Sequence, residues 1–209
     1  MPKSLQQGSH NKERIIAEAI SEFKRNGIRS TTMNQISQNL RISKRTLYEI
    51  YDSKEDLLLD CLQASHNQKL KEMGELADKS GNVLEFIIAF YSVSREEAKE
   101  NHPSFVTDLF HYPRALDFFR KMREQILNEA VSFLKRGVDE GVFEPYFNYE
   151  IFYTLLSRLP EFILRDKAFA AFTPDETSIN TTLIYLRGCT TEKGRGMIDD
   201  YIKGVVGNK

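Results

Sequence analysis

The sequence predicts an all-α fold in two parts, and three observations carry that expectation. No stretch alternates apolar and polar residues with period two, and no pair of such stretches is joined by a hairpin turn. Apolar residues recur instead three and four apart along most of the 209-residue chain. Eleven glycines and six prolines, in a chain that is 28% charged and 41% apolar, leave few helix breakers and exclude collagen-like and low-complexity architectures. A chain this long buries roughly 70% of its unfolded surface, so its core needs no disulfide staples.

The first helix is marked by Ile15, Ile16, Ala19, Ile20 and Phe23, with Asn26-Gly27 as its stop. Thr32, with Gln35 three residues on, reads as a capping box that starts a second helix at Met33, with Met33, Ile36 and Leu40 inside. Ser43 caps a short third helix carrying Leu47, Tyr48 and Ile50. Ser53 caps a long fourth, with Leu57, Leu58, Cys61, Leu62 and Leu70, to about Leu76. Ser80-Gly81-Asn82 breaks the pattern, and Val83 to Glu100 resumes it with Leu84, Ile87, Ile88 and Tyr91. His102-Pro103 stops that helix, and residues 104–110 read as a short one.

Pro113 suits a first helical position, and the run from Leu116 to Leu134 carries that helix to about Glu140, where Gly141 ends it. Asn148 caps the next, whose wide face is Phe152, Leu155, Leu156, Leu159, Phe162 and Ile163. Pro160 lies inside that pattern and predicts a kink. Thr173-Pro174-Asp175-Glu176 opens a helix with Ile179, Leu183 and Leu186, ended by Gly188, and a last short helix covers about Met197 to Val205.

Net charge is −1, but it is unevenly spread. Up to Tyr51 there are nine Lys or Arg against four Glu, so this segment is +5 and the rest −6. A basic end on an acidic body suggests a polyanion partner for the basic end only. Cys61 and Cys189 lie far apart, outside any CxxC spacing, which fits a reducing compartment and no zinc site. No apolar run follows Met1-Pro2-Lys3, so no signal peptide is expected. The most apolar stretch, 83–93, is far short of the ~20 residues that span a bilayer. The expected location is the cytoplasm, with no membrane partner.

Two short helices, 33–40 and 43–50, are joined by about two residues, and so tight a join forces a steep crossing, as in a helix-turn-helix. The second presents Ser43, Lys44, Arg45, Thr46, Tyr48 and Glu49 outward. Lys and Arg meet phosphates or guanine edges, Thr a thymine methyl, and Tyr a phosphate oxygen. The helix starts at Thr32 and Ser53 add backbone N–H groups that suit phosphates. Pattern alone leaves open an ordinary helical hairpin with a solvated basic face.

The run Thr32-Met33-Asn34-Gln35-Ile36, then Ile42-Ser43-Lys44-Arg45-Thr46-Leu47-Tyr48, then Tyr51-Asp52-Ser53-Lys54-Glu55-Asp56-Leu57, resembles the DNA-binding domain of the tetracycline-repressor (TetR) family. The resemblance covers Lys12 to about Leu62; the remainder matches only in helix number and length. It implies a DNA-binding domain over residues 1–52 and an effector-binding and dimerisation domain over 53–209. It implies phosphate contacts for Thr32, Lys44, Tyr48 and Lys54, and base contacts for Arg45 and Thr46, on a recognition helix opened by Ser43. Two positions depart from the pattern. Arg41 stands where the turn usually has Gly, at a cost near 1 kcal/mol, and joins the DNA-facing set. Arg45 stands where a small residue is usual, which puts a long basic side chain in the groove and leaves any operator of the relatives in doubt.

Outside that segment the chemistry is sparse. His102, Asp108 and His111 lie close in sequence, but surface and helix-end roles outweigh a metal site there. Cys61 reads as core. The aromatic residues are most simply core packing; by the resemblance some would line an effector cavity, with His66, Phe86, Phe90, Tyr91, Phe105, Phe110, His111, Phe118 and Met122 as candidates and His66, Tyr91 and His111 as polar anchors. The face Phe152, Leu155, Leu159, Phe162, Ile179, Leu183 and Leu186 is wider than one small body needs, so it is expected to form a two-fold dimer interface. No Ser/His/Asp set, glycine-rich phosphate loop or carboxylate pair appears, so no enzyme activity and no cofactor are expected.

The expected function is a DNA-binding regulator, a homodimeric repressor released from an inverted-repeat operator by a small hydrophobic effector. The rivals are a similar protein whose body answers to a protein partner, and a helical enzyme.

Overall fold

In a computed structural model the backbone is described over residues 3–207 and the side chains over 11–207, so Met1 and Pro2, where the basic start was read, lie outside the described residues. The helices are α1 (Lys3–Asn26), α2 (Met33–Asn39), α3 (Lys44–Tyr48), α4 (Lys54–Lys79), α5 (Val83–Glu100), α6 (Phe105–Leu109), α7 (Pro113–Asp139), α8 (Tyr149–Leu156), α9 (Leu159–Arg165), α10 (Pro174–Ser178), α11 (Ile184–Gly188) and α12 (Glu192–Gly207). No strand occurs among the described residues; one isolated antiparallel bridge pairs Phe143 with Thr190.

The chain folds into two compact units, Met1–Glu72 with Ser94–Arg120, and Met73–Val93 with Lys121–Lys209. In the first, Ile15, Ala19 and Phe23 of α1 fall four residues apart on one face, so all three are buried together with Met33, Ile36, Leu47, Leu57, Leu58 and Leu109. Cys61 belongs to the same core, and burial pushes its thiol up to about 12, so it carries no thiolate at neutral pH. Gly27 ends α1 in the left-handed region at φ +82°, its N–H donating to the Phe23 carbonyl at 3.0 Å. A Cβ there would lie 2.5 Å from Ser104 Oγ, so the position needs glycine for space as well as for backbone. The first turn of α4 holds the start of α7: Glu55 accepts the Arg114 N–H at 3.0 Å, and Asp56 accepts the Arg114 guanidinium at 2.5 Å.

In the second unit Val83, Leu84, Leu134, Val142, Phe143, Tyr149, Phe152, Leu186 and Ile198 form the core. The segment after α7 is clamped to the segment after α11. Glu144 N–H donates to Cys189 O at 2.9 Å, and Thr191 N–H to Val142 O at 3.2 Å. Arg187 grips Asp199 with two bonds, at 2.5 and 3.0 Å.

Here the helices depart from the sequence expectation in four places. There is no kinked helix at Pro160: α8 stops at Leu156 and Pro160 is the second residue of α9, where a missing N–H costs nothing. The single helix expected from Thr173 to Gly188 contains a π-helical turn over Ile179–Leu183. α12 begins at Glu192, five residues before Met197, because Thr191 Oγ1 accepts the Gly194 N–H at 3.3 Å and opens the helix early. A short 3₁₀ turn at Lys167–Phe169 was not foreseen.

Candidate nucleic-acid interface

The turn between α2 and α3 is built from local hydrogen bonds. Ile42 N–H reaches Ser37 O at 3.0 Å and Arg41 N–H reaches Gln38 O at 3.0 Å. This pairing is a Schellman ending, and it requires its penultimate residue to be left-handed. That residue is Arg41, at φ +55°, the only non-glycine residue with positive φ among those described. Ile42 then packs back on the core that contains Ile36, which fixes the direction in which the chain leaves the turn.

α3 opens at once. Ser43 Oγ accepts the Thr46 N–H at 3.0 Å and lies 2.8 Å from Thr46 Oγ1. Leu47 is fully buried and anchors α3, so Ser43, Lys44, Arg45, Tyr48 and Glu49 are left exposed and Thr46 half-buried. The Lys44 ammonium sits 5.8 Å over the Tyr48 ring, and Arg45 Nε donates to Glu49 Oε1 at 2.9 Å. Thr32, also exposed, caps α2 by accepting the Gln35 N–H at 3.2 Å. The Gln35 side chain does not close the capping box. It leans at 3.5 Å on the buried Glu22 carboxylate, which also accepts from Arg25 at 2.9 Å and Asn26 at 2.8 Å. Glu22 thereby ties the end of α1 to α2, a role that sequence reading missed.

Lys54 departs from its expected phosphate contact. Its ammonium donates to the carbonyls of Ile28 at 2.9 Å, Arg29 at 3.2 Å and Thr31 at 2.9 Å, which accounts for all three of its protons. Partial burial pushes its pKa down, with the Arg29 charge adding to that and the Asp108 charge opposing it. The same loop is gripped from α6. Asp108, 6% exposed, accepts the Arg29 N–H at 2.9 Å and the Ser104 hydroxyl at 3.2 Å. His102 lies 2.9 Å from Ser104 Oγ and donates its backbone N–H to Lys24 O at 2.6 Å. Asp108 and His102 thus serve a loop-holding network, and no group of three metal-binding side chains occurs among the described residues.

Sequence reading also passed over Asn11 and Arg14 of α1, which line a shallow dent with Leu40, Ile42, Thr46 and Ile50 beside α3. The only sequence signal of Arg14 was its charge within the basic segment, and Asn11 carried none.

The remaining candidates fall in both units. His66, Phe105, Phe110, His111 and Phe118 belong to the first, where His66 meets Phe118 edge-on at 6.3 Å and His111 is exposed. Phe86, Phe90, Tyr91 and Met122 belong to the second. There Phe86 is buried between Phe90 and Phe133, and the Tyr91 hydroxyl is bonded to Ser178 Oγ. Of the expected dimer face, Phe152, Leu183 and Leu186 are consumed by the protomer's own core at 4%, 1% and 2% exposure, a correction to that expectation. Leu159 and Ile179 are half-buried. Leu155 and Phe162 are exposed, as are Ile151 and Ile184, which adjoin the buried Phe152 and Leu183 in sequence.

The family model described as bacterial regulatory proteins of the tetR family matches residues 15–61. The HTH-type transcriptional repressor KstR2 of Mycobacterium tuberculosis is 23% identical over 148 residues, covering 68% of this chain and 74% of that protein. Among solved structures, a transcriptional regulator from Cytophaga hutchinsonii superposes with a TM-score of 0.65 at 18% identity, covering 86% of this chain and 98% of that one. The Thermus thermophilus repressor FadR, in complex with lauroyl-CoA, gives a TM-score of 0.57 at 22% identity, covering 85% and 94%. No described helix is long and apolar enough to cross a membrane.

Proposed function

We propose, from the premise that this chain is a transcriptional regulator of the TetR family, that it is a homodimeric cytoplasmic repressor, without enzyme activity, released from an inverted-repeat DNA operator by a small hydrophobic effector. The observation that carries the reading is α3: a helix anchored by buried Leu47, capped by Ser43, and presenting Lys44, Arg45 and Tyr48 outward directly after an Arg41 turn. That surface supplies phosphate contacts from Lys44, Tyr48, Arg41 and Thr32 and base-edge contacts from Arg45 and Thr46. Residues 1–52 supply every one of these side chains, and residues 53–209 the effector and dimer functions.

The effector class rests on two supports. The candidate side chains are mostly aromatic with few charges, and FadR, of like fold, is in complex with lauroyl-CoA. The route from body to DNA runs through the loop 27–31. Asp108 from α6 and Lys54 from α4 both hold it, and it leads directly into the Thr32 cap of α2. A displacement of α6 moves this loop and resets the two recognition helices, which must sit about one DNA turn apart in the dimer. Shifting the DNA-competent fraction from 99:1 to 1:99 takes a ligand preference of ~5.5 kcal/mol for the released state.

The test is selection from random DNA followed by ligand competition. A two-fold symmetric site is expected, and Arg45→Ala should cost about 1–3 kcal/mol at one base position per half-site. Saturating operator should weaken effector binding by the factor with which effector weakens operator binding. Failure to recover any symmetric site sinks the regulator reading. An effector whose affinity ignores the operator leaves the protein-partner alternative.

A further inference from the structure

α3 carries one feature that DNA binding alone does not ask for. Glu49 is an acid at the end of a basic, exposed helix in a segment with net charge +5. It follows the last residue of α3 as its C-cap, where the helix dipole disfavours a negative charge. Its ion pair with Arg45 joins side chains 89% and 58% exposed, and exposed pairs of this i,i+4 kind stabilise a fold very little. A carboxylate facing a polyanion weakens binding to every DNA sequence. Neither stability nor general affinity accounts for it.

The geometry of the pair does. Arg45 donates through Nε, at 2.9 Å from Glu49 Oε1. A guanidinium held by its Nε presents its two terminal nitrogens together at the far end. That end-on pair of N–H groups matches the O6 and N7 acceptors of guanine in the major groove. An exposed arginine without such a partner samples many rotamers and loses that freedom on binding; one already held loses less.

We infer that Glu49 is a positioning residue that sets base specificity: it holds Arg45 end-on for guanine and gives up general DNA affinity in doing so. The inference rests on the DNA-binding reading above. At a guanine, the arginine fork finds both acceptors, and its charge remains neutralised by the carboxylate. At another base the fork lacks a matching pair, and the repulsion between Glu49 and the phosphates stands uncompensated. Discrimination therefore comes from an attractive and a repulsive element together.

The experiment uses the full chain and the site it selects from random DNA. Affinities are measured for that site, for its three base variants at the position Arg45→Ala makes indifferent, and for random duplex, with wild type, Glu49→Gln and Glu49→Ala. The wild type should prefer guanine about tenfold. Glu49→Ala should bind random duplex severalfold more tightly while its guanine preference falls to about twofold. Glu49→Gln loses the same charge but keeps an oxygen that accepts from Nε. It should gain the same random-duplex affinity and retain an intermediate preference, which a role limited to charge would not produce. In an Arg45→Ala background, Glu49→Ala should remove no further discrimination, because the two residues act as one unit. Undiminished guanine preference in Glu49→Ala overturns the inference, as does an equal loss of affinity for all sequences. A wild type that selects no symmetric site overturns the DNA-binding reading itself.

Discussion

The segments α1–α3 and α8–α12 are both built of helices, yet they dispose of their apolar residues in opposite ways. In α1–α3 each helix has one buried stripe, such as Ile15, Ala19 and Phe23, and the polar remainder faces outward. In α8–α12 the apolar residues run round the helices: Phe152 and Leu186 are buried, while their near neighbours Ile151, Leu155 and Ile184 are exposed at 59%, 50% and 54%. A helix with one stripe needs one partner surface, whereas a helix apolar on several sides needs more than its own protomer provides. The first pattern frees a polar face, which the proposed function gives to DNA. The second leaves an apolar face, which the proposed function gives to a second copy of the chain.

The contrast breaks most visibly at Leu183 and Ile184, adjacent residues with opposite fates. Leu183 is 1% exposed, so Leu183→Glu places an unpaired charge in the core and removes a buried side chain. A cost of about 3–5 kcal/mol or more should follow, enough to unfold the second unit. Ile184→Glu, at an exposed site, should change protomer stability by under about 0.5 kcal/mol yet dissociate the dimer. Thermal melting by circular dichroism and sedimentation at micromolar concentration separate the two. A monomeric but stable Leu183→Glu would mean that the core and the interface are assigned to the wrong residues.

The same contrast explains what could be read in the sequence. Thr32, Ser43 and Asn148 were legible as caps because the bond each makes spans two or three residues. The cost at Arg41 was legible because turn geometry is also local. The all-α class followed from periodicity. What stayed hidden depended on long-range partners. The family resemblance implied a phosphate contact for Lys54, but its three acceptors lie 23 to 26 residues away in sequence. Asp108 meets the backbone of Arg29 across 79 residues. The inward and outward faces of α8 and α11 are decided by packing within the second unit, and helical spacing alone cannot divide a wide apolar face. Pro160 was visible, but whether a proline bends a helix or starts one depends on whether the preceding turn has already ended.

A smaller effect sharpens the division between holding the loop and touching DNA. Lys54→Met keeps the aliphatic stem and removes the bonds to the carbonyls of Ile28, Arg29 and Thr31. Asp108→Leu leaves the Arg29 N–H without its acceptor. Each should cost about 1–3 kcal/mol of stability and weaken operator binding through the misplaced loop. Because the Lys54 ammonium is bound to carbonyls, its loss should leave the salt dependence of DNA binding at the wild-type slope. Lys44→Met should do the reverse, reducing that slope by about one while leaving the melting temperature unchanged. A flattened slope in Lys54→Met would return that residue to the phosphate-contacting set.

The smallest effect tests whether the turn is shaped for folding or for DNA. Arg41 sits at φ +55°, where a side chain costs roughly 1 kcal/mol and glycine does not. Glycine also raises the entropy of the unfolded chain, which offsets part of the gain. Arg41→Gly should therefore stabilise the protein by no more than about 1 kcal/mol, read as a small rise in denaturant midpoint at unchanged slope. The same substitution removes an exposed cation beside α3, so DNA affinity should fall for all sequences alike. Stability gained with affinity lost means that the strain at Arg41 is retained for its charge. Stability lost would instead show that the arginine side chain makes compensating contacts in the turn, and that this turn obeys folding before function.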